Sequence, residues 1–330
     1  MRNHTRHRAL ATLHLGVATV AALATREAHA TLPSYLQPGF PMETLDPAPA
    51  GDRFVVTPDA TVMQSPASVR AVVDFVSNPA KIQVNGNTVS ATSTDWYAHF
   101  GLSAAPCDYV LLSANLPMVL NQQETLQSPE QGLTGPAAIS PSPGDLGDMR
   151  VGARFRLTPP RFEHWAIAAS ADLWFTTGNS DSLTGEPENR FRAMAIANGD
   201  FSVGQWTLDL AGAAGYQTFT ATASTYGSAR GMPIRAAVGL EHPLIGGIGL
   251  RGALEFFGTA WGEATGNIDR HTGEGLLSLM VFLGRSWTIG LSEGLGLTDA
   301  PGVPGARGII SVQYRTPENG PPATHASAGE

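Results

Sequence analysis

Charged side chains recur at alternate positions along much of this chain, and that spacing limits the chemistry they can do. Arg150, Arg154 and Arg156 share one parity, while Met149, Val151, Ala153, Phe155 and Leu157 share the other. Arg70 and Asp74 oppose Val69, Ala71, Val73 and Phe75 in the same way. Asp95, Tyr97 and His99 oppose Trp96, Ala98, Phe100 and Leu102, and Ser170 and Asp172 oppose Ile167, Ala169, Ala171, Leu173 and Phe175. Asp209, Arg235, Glu241, Arg251 and Glu255 lie on the polar parity of later stretches. Successive residues of a strand project to opposite faces, so these charges would converge on one side of a sheet. Mixed charges gathered there either pair with one another or line a path that selects solutes by charge.

Other reactive groups are sparse. His99, His164, His242 and His271 show no close metal-ligand spacing, so neither a metal nor a cofactor is expected. Gly247-Ile248-Gly249-Leu250-Arg251-Gly252 matches a dinucleotide-binding fingerprint, but the stretch alternates like a strand and no helix follows. Cys107 is the single cysteine, which excludes an internal disulfide. A Ser/His/acid hydrolase set in a wall of strands would need Ser and His together near a lipid-facing rim. His99 lies on the polar parity instead, so no catalytic residue is expected.

The elements that must position these side chains are strands. The chain has 330 residues with 37 glycines, a bias that suits strands and turns. Its 20 basic and 28 acidic residues give a net charge of −8, and Lys81 is the only lysine. An acidic chain without a basic stripe is not expected to bind nucleic acid. Residues 1–30 read as a cleaved Sec-type signal peptide: Arg2, Arg6 and Arg8 precede an apolar run, Ala9–Ala24, and Ala28-His29-Ala30 supplies the small-x-small cleavage pattern. Removing Arg2, Arg6, Arg8, Arg26 and Glu27 leaves 16 basic and 27 acidic side chains, a net of −11. No later stretch approaches the roughly 18 uninterrupted apolar residues of a membrane helix, so any membrane crossing must use strands.

Residues 31–66 are rich in Pro, Ala and Thr and are expected in the periplasm or inserted in a lumen as a plug. Residues 67–315 alternate with period two, and residues 316–330 read as a disordered tail. Twelve strands are predicted at 67–77, 91–104, 109–121, 148–158, 163–176, 190–198, 203–217, 230–241, 246–258, 271–283, 286–297 and 305–315. Tight links, including Ala105–Asp108 and an Asn198-Gly199-Asp200 corner, alternate with longer ones such as Gln122–Gly147 and Gly178–Asn189. An even strand number, with short turns on one side and longer loops on the other, predicts an all-β, antiparallel, up-and-down transmembrane barrel in the outer membrane of a Gram-negative envelope. Slipping one strand by a residue would carry Arg154 or Arg251 into lipid, at a cost of ~2–4 kcal/mol near the midplane. Aromatic girdles are predicted from Trp96, Tyr109, Trp165, Phe175, Trp206, Tyr216 and Trp287. Two strands resist the scheme: the sixth has no clear polar face around Met194 and Ile196, and Glu293 falls on the stripe of Ile289, Leu291 and Leu295, where a bulge or a displaced boundary is expected.

Several phrases also resemble a known family. Asn115-Leu116-Pro117-Met118-Val119-Leu120-Asn121, Gly147–Leu157, Trp174–Gly178 and Gly294-Leu295-Gly296-Leu297-Thr298, followed by Pro301 and Arg307, are similar to the barrel half of OmpA-family outer-membrane proteins. The resemblance covers roughly residues 45–315 and implies outer-membrane lipid as the surroundings. The peptidoglycan-binding domain that often follows such barrels is not expected after so short a tail. Gly308, Ile310, Val312 and Tyr314 resemble the terminal signal read by the barrel-assembly machinery. The function expected is a structural or narrow, porin-like diffusion channel, lined by Arg70, Asp74, Asp95, His99, Arg150, Arg154, Arg156, Asp172, Asp209, Arg235, Arg251 and Glu255. An outer-membrane barrel enzyme acting on lipid and a soluble secreted β-sandwich are the alternatives.

Overall fold

Period-two alternation of apolar and polar residues becomes, in the computed structural model, a continuous antiparallel wall. The structure describes residues 45–62, 66–78, 81–84, 87–90, 92–124, 144–162, 164–178, 184–186, 188–219, 230–261, 271–298, 300 and 302–317. Among these, fourteen strands form: β1 (Ala67–Ser77), β2 (Lys81–Val84), β3 (Asn87–Ser90), β4 (Thr92–Cys107), β5 (Val110–Glu124), β6 (Met149–Arg156), β7 (Trp165–Phe175), β8 (Arg190–Val203), β9 (Trp206–Phe219), β10 (Arg230–Pro243), β11 (Ile248–Trp261), β12 (Thr272–Leu283), β13 (Trp287–Gly296) and β14 (Ala306–Arg315). Twelve of them close into a barrel in chain order, with β1 paired to β4 on one side and to β14 on the other. The closing register runs from Ser68 opposite Arg315 to Ser77 opposite Ala306, so no strand edge of the barrel is left open. Residues 1–30, predicted as a signal peptide, and the predicted tail beyond residue 317 lie outside the described residues.

The two faces follow the predicted parity. Phe100, Phe155, Leu254, Leu277, Leu291 and Ile310 point outward and are exposed, whereas Asp74, His99, Arg150, Arg154 and Arg251 point inward and are buried. An apolar outer surface around a charged interior is the reverse of a water-soluble sandwich, and it is what hydrocarbon surroundings demand.

Four expectations need correction. Asn198-Gly199-Asp200 is no corner: β8 continues to Val203, and the chain turns at Gly204, whose φ of +64° belongs to the left-handed region. Asn198 instead accepts a hydrogen bond from the Ala60 amide at 2.9 Å, an inward use that local turn chemistry could not reveal. The link after the first barrel strand contains an additional hairpin, β2–β3, which stands apart from the barrel. Thirdly, no bulge surrounds Glu293: β13 pairs without a break to β12 and β14, and Glu293 points outward with Ile289, Leu291 and Leu295. The register shifts lie between β4 and β5, near Thr92, Trp96 and Ala104. Lastly, Arg156 does not line the lumen. It is half-buried at the turn-side end of β6 and donates to the carbonyls of Pro159 and Phe162, so it closes the following turn.

Candidate functional site: an occupied lumen

A twelve-stranded barrel is wider than its own inward side chains readily fill. Here the space is taken by a separate stretch of chain, residues 45–62. Phe54, Val56, Thr57 and Ala60 of this stretch are fully buried, although none belongs to a strand or helix. A turn forms it locally: the Asp52 amide donates to the Pro49 carbonyl at 3.1 Å, and Gly51 between them has a φ of +97°. The Ala48 amide donates to the Val55 carbonyl at 2.8 Å and closes the loop around that turn.

Irregular backbone can be buried only where its polar groups find partners. Pro47, Pro49 and Pro58 have no amide hydrogen, so the stretch is richer in acceptors than in donors. The wall supplies the complement in the form of arginine. Arg70 donates to the carbonyls of Ala48 and Phe54 at 3.2 and 3.1 Å and to that of Asp52 at 2.7 Å. Arg150 reaches the Pro47 carbonyl at 2.7 Å, and Arg251 reaches the Arg53 carbonyl at 3.0 Å. Three consecutive donors of the stretch are met in turn by one carboxylate, since Glu255 accepts the amides of Val55, Val56 and Thr57 at 2.8, 3.0 and 2.9 Å.

Ion pairs run the length of the lumen. Near the loop-side ends of β6, β8 and β10, the Asp46 carboxylate is held by Arg150, Arg192 and Arg235. Towards the turn side, Asp52 takes a two-pronged contact from Arg154 at 2.5 and 2.8 Å. Arg53 pairs with Asp59 at 2.5 Å and with Asp209 at 2.7 Å. Apolar contacts fill the gaps. Ala60 packs with Ala166, Ala168, Met194, Ile196 and Ala213, which explains the sixth predicted strand: its inward face meets an apolar part of the inserted stretch. Phe54 lies over Gly239, where an added Cβ would stand 3.1 Å from the ring.

Eleven of the twelve charges proposed for the lumen are therefore buried inward residues, Arg156 being the exception. Many serve the inserted stretch rather than one another. Asp172 binds Arg192 at 2.9 Å, Asp209 binds Arg251 at 2.8 Å, and Asp74 binds Arg307, which also holds Glu274 at 2.9 Å. Asp95 and His99 are buried on β4. Sequence reasoning missed Asp46, Asp52, Arg53 and Asp59, along with Arg192, Glu274 and Gln313 on the wall. The shared parity of Arg192 and Asn198 was an available signal, whereas nothing local marked the acids of residues 45–62 as ligands of distant arginines.

The seven residues predicted for the aromatic girdles lie on the outer surface or at its rims. Trp96, Tyr109, Trp165, Trp206, Tyr216 and Trp287 are exposed, and Phe175 is half-exposed. On the turn side Trp287 meets Tyr314 at 4.9 Å and Trp206 meets His242 at 4.4 Å, while Trp96 stacks edge-on against Phe75 at 5.0 Å.

At the loop-side end, a cavity of about 100 Å³ lies against Asp46, lined by Arg190, Arg192, Arg235, Gln217 and Glu186. Trp174 organises this region: the guanidinium carbons of Arg190 and Arg192 sit 4.1 and 4.7 Å from its ring centre. Asp148, just outside β6, accepts the amides of Gly178 and Glu186 at 3.0 and 2.6 Å, and Arg190 donates to Glu186 at 3.1 Å. Burial pushes the Asp148 carboxyl up to about 6 against the opposing pull of those amides. Burial likewise pushes Glu186 up to about 7, with Arg190 opposing and the charge of Asp148 adding. Among the described residues, no cluster of His, Cys, Asp or Glu has the geometry of a metal site.

A closed antiparallel barrel with a lipid-compatible exterior and an ionic, occupied interior defines the class: this is the fold of outer-membrane β-barrel proteins. Comparison with solved structures places it beside a COG4313 outer-membrane channel from Pseudomonas putida F1, with a TM-score of 0.50 and 17% identity over 78% of this chain and 97% of that one. NanC porin (TM-score 0.44, 8% identity, 76% of this chain and 99% of that one) and KdgM porin (0.42, 11%, 76% and 99%) are also similar. At such identities the likeness is one of fold. No protein-family model matches the chain, and no curated protein matches it.

Proposed function

We propose that this protein is an outer-membrane, porin-like channel whose lumen is closed by residues 45–62. The observation that supports this most is that the barrel is filled by chain entering from outside the wall. A segment tethered at Pro66 and held by hydrogen bonds and ion pairs can leave without breaking any strand pairing. A lumen filled by wall side chains could not be cleared in that way. The longer links would face the cell exterior and the short turns the periplasm. In this reading residues 1–30 direct export, and β14 presents the signal for the barrel-assembly machinery. Kinship with OmpA-family barrels rests on the residue phrases quoted above. The protein works without catalysis, so His99 serves as an interior wall residue.

Planar-bilayer recording tests the proposal. The full mature chain should show small, intermittent conductance, and a variant lacking residues 31–62 should show a larger, steady one. Silence of both proteins, with folding verified by heat-modifiable gel mobility, would exclude a channel and leave a structural role.

A further inference from the structure

Asp46 is held in the manner of a bound ligand. One of its carboxylate oxygens faces Arg150, and the other faces both Arg192 and Arg235, the last at 2.5 Å. These arginines come from three different strands, β6, β8 and β10, so the barrel wall alone constructs the cage. Planar guanidinium groups match the two oxygens of a carboxylate. The cage also borders the loop-side cavity, in which several buried polar atoms have no hydrogen-bond partner among the described residues: Gln217 Nε2, Arg190 Nε and Glu186 Oε2. Gln217 and Glu186 are 3% and 2% exposed. A cavity of about 100 Å³ has room for a small organic acid.

Charge accounting points the same way. Asp46 is the ion-pair partner of both Arg150 and Arg235, and Asp52 is that of Arg154. Arg70 is satisfied by carbonyls of the inserted stretch and by Gln313. Withdrawal of residues 45–62 would strip these four arginines of their contacts to it while freeing two wall carboxylates, Glu255 from its amides and Asp209 from Arg53, the latter still paired with Arg251. The cleared lumen is then locally cationic.

We infer that Arg150, Arg192 and Arg235 form an anion site for small carboxylates, which Asp46 occupies from within until an external carboxylate competes for it. This inference rests on the channel reading for its role in transport, whereas the binding itself does not.

The test uses acetate, with acetamide as its neutral isostere. In the full-length protein, acetate should raise hydrogen exchange at the amides of Val55, Val56 and Thr57 several-fold, and acetamide should not. In Asp46→Asn, which removes the resident negative charge that competes for the cage, acetate should raise the melting temperature and acetamide should leave it unchanged. The same variant in a bilayer should shift its zero-current potential towards chloride preference. Equal responses to acetate and acetamide in both proteins would overturn the anion site. If Asp46→Asn fails to fold, exchange in the unaltered chain still decides the matter. Selective stabilisation by acetate without conductance in any variant would keep the site and reject the channel.

Discussion

Arg154 shows why single residues matter so much inside this barrel. Its guanidinium is buried, and the two oxygens of Asp52 supply its counter-charge. Taking two charges out of water is costly, and the pair offsets that cost only while both members are present. Asp52→Ala should therefore lower stability by about 3–5 kcal/mol, measured as a shifted urea midpoint in detergent. A smaller loss would mean that water reaches Arg154. Asp148 and Glu186 predict a different dependence. Burial raises their folded pKa values to about 6 and about 7, above the ordinary carboxyl values of 3.8 and 4.5. Between the two limits the folded state holds protons that the unfolded state has released, so stability falls as pH rises through that window. The contribution is complete below about 4 and is lost above about 7. Unfolding midpoints should fall from pH 4.5 to pH 7.5, and Glu186→Gln should flatten that dependence. A midpoint that rises over this range would contradict the burial of these carboxyls.

At the scale of the element, β13 carries an exception with a measurable cost. Glu293 lies six residues beyond Trp287 on the outward face. At a rise of ~3.3 Å and a tilt of ~45°, that places it about 14 Å from the turn-side girdle, near the middle of an apolar band of roughly 25 Å. Acidic residues at such depth cost less than the ~2–4 kcal/mol of an arginine, but they still cost. Glu293→Leu should raise the temperature at which heat-modifiable mobility is lost, and an unchanged or lower temperature would show that the carboxylate has a partner. The strand itself was legible from Ile289, Leu291 and Leu295. What misled was the rule that charges face inward, because one carboxylate is affordable to a strand held by unbroken ladders on both sides. Residues 198–200 misled for the opposite reason. Their turn-forming types are overridden by continuous pairing of β8 with β9, in which Asp200 stands opposite Asp209.

For the whole molecule, barrel and inserted stretch are separable in principle. Every strand of the barrel is paired on both sides by its ring neighbours, without help from residues 45–62. Gly239→Val should press on the Phe54 ring, loosen the stretch and raise bilayer conductance, while heat-modifiable mobility stays that of a folded barrel. Loss of the folded band would show instead that the wall needs its filling. The twelve strands of the barrel and the alternation of their apolar and polar faces were already present in the sequence, because alternation is a local pattern and a membrane punishes each violation of it separately. Tertiary structure alone decided what fills the interior. Asp46 meets Arg150, Arg192 and Arg235 across sequence separations of 104, 146 and 189 residues. No periodicity encodes such a meeting: it exists only once closure of the barrel has brought three strands around one carboxylate.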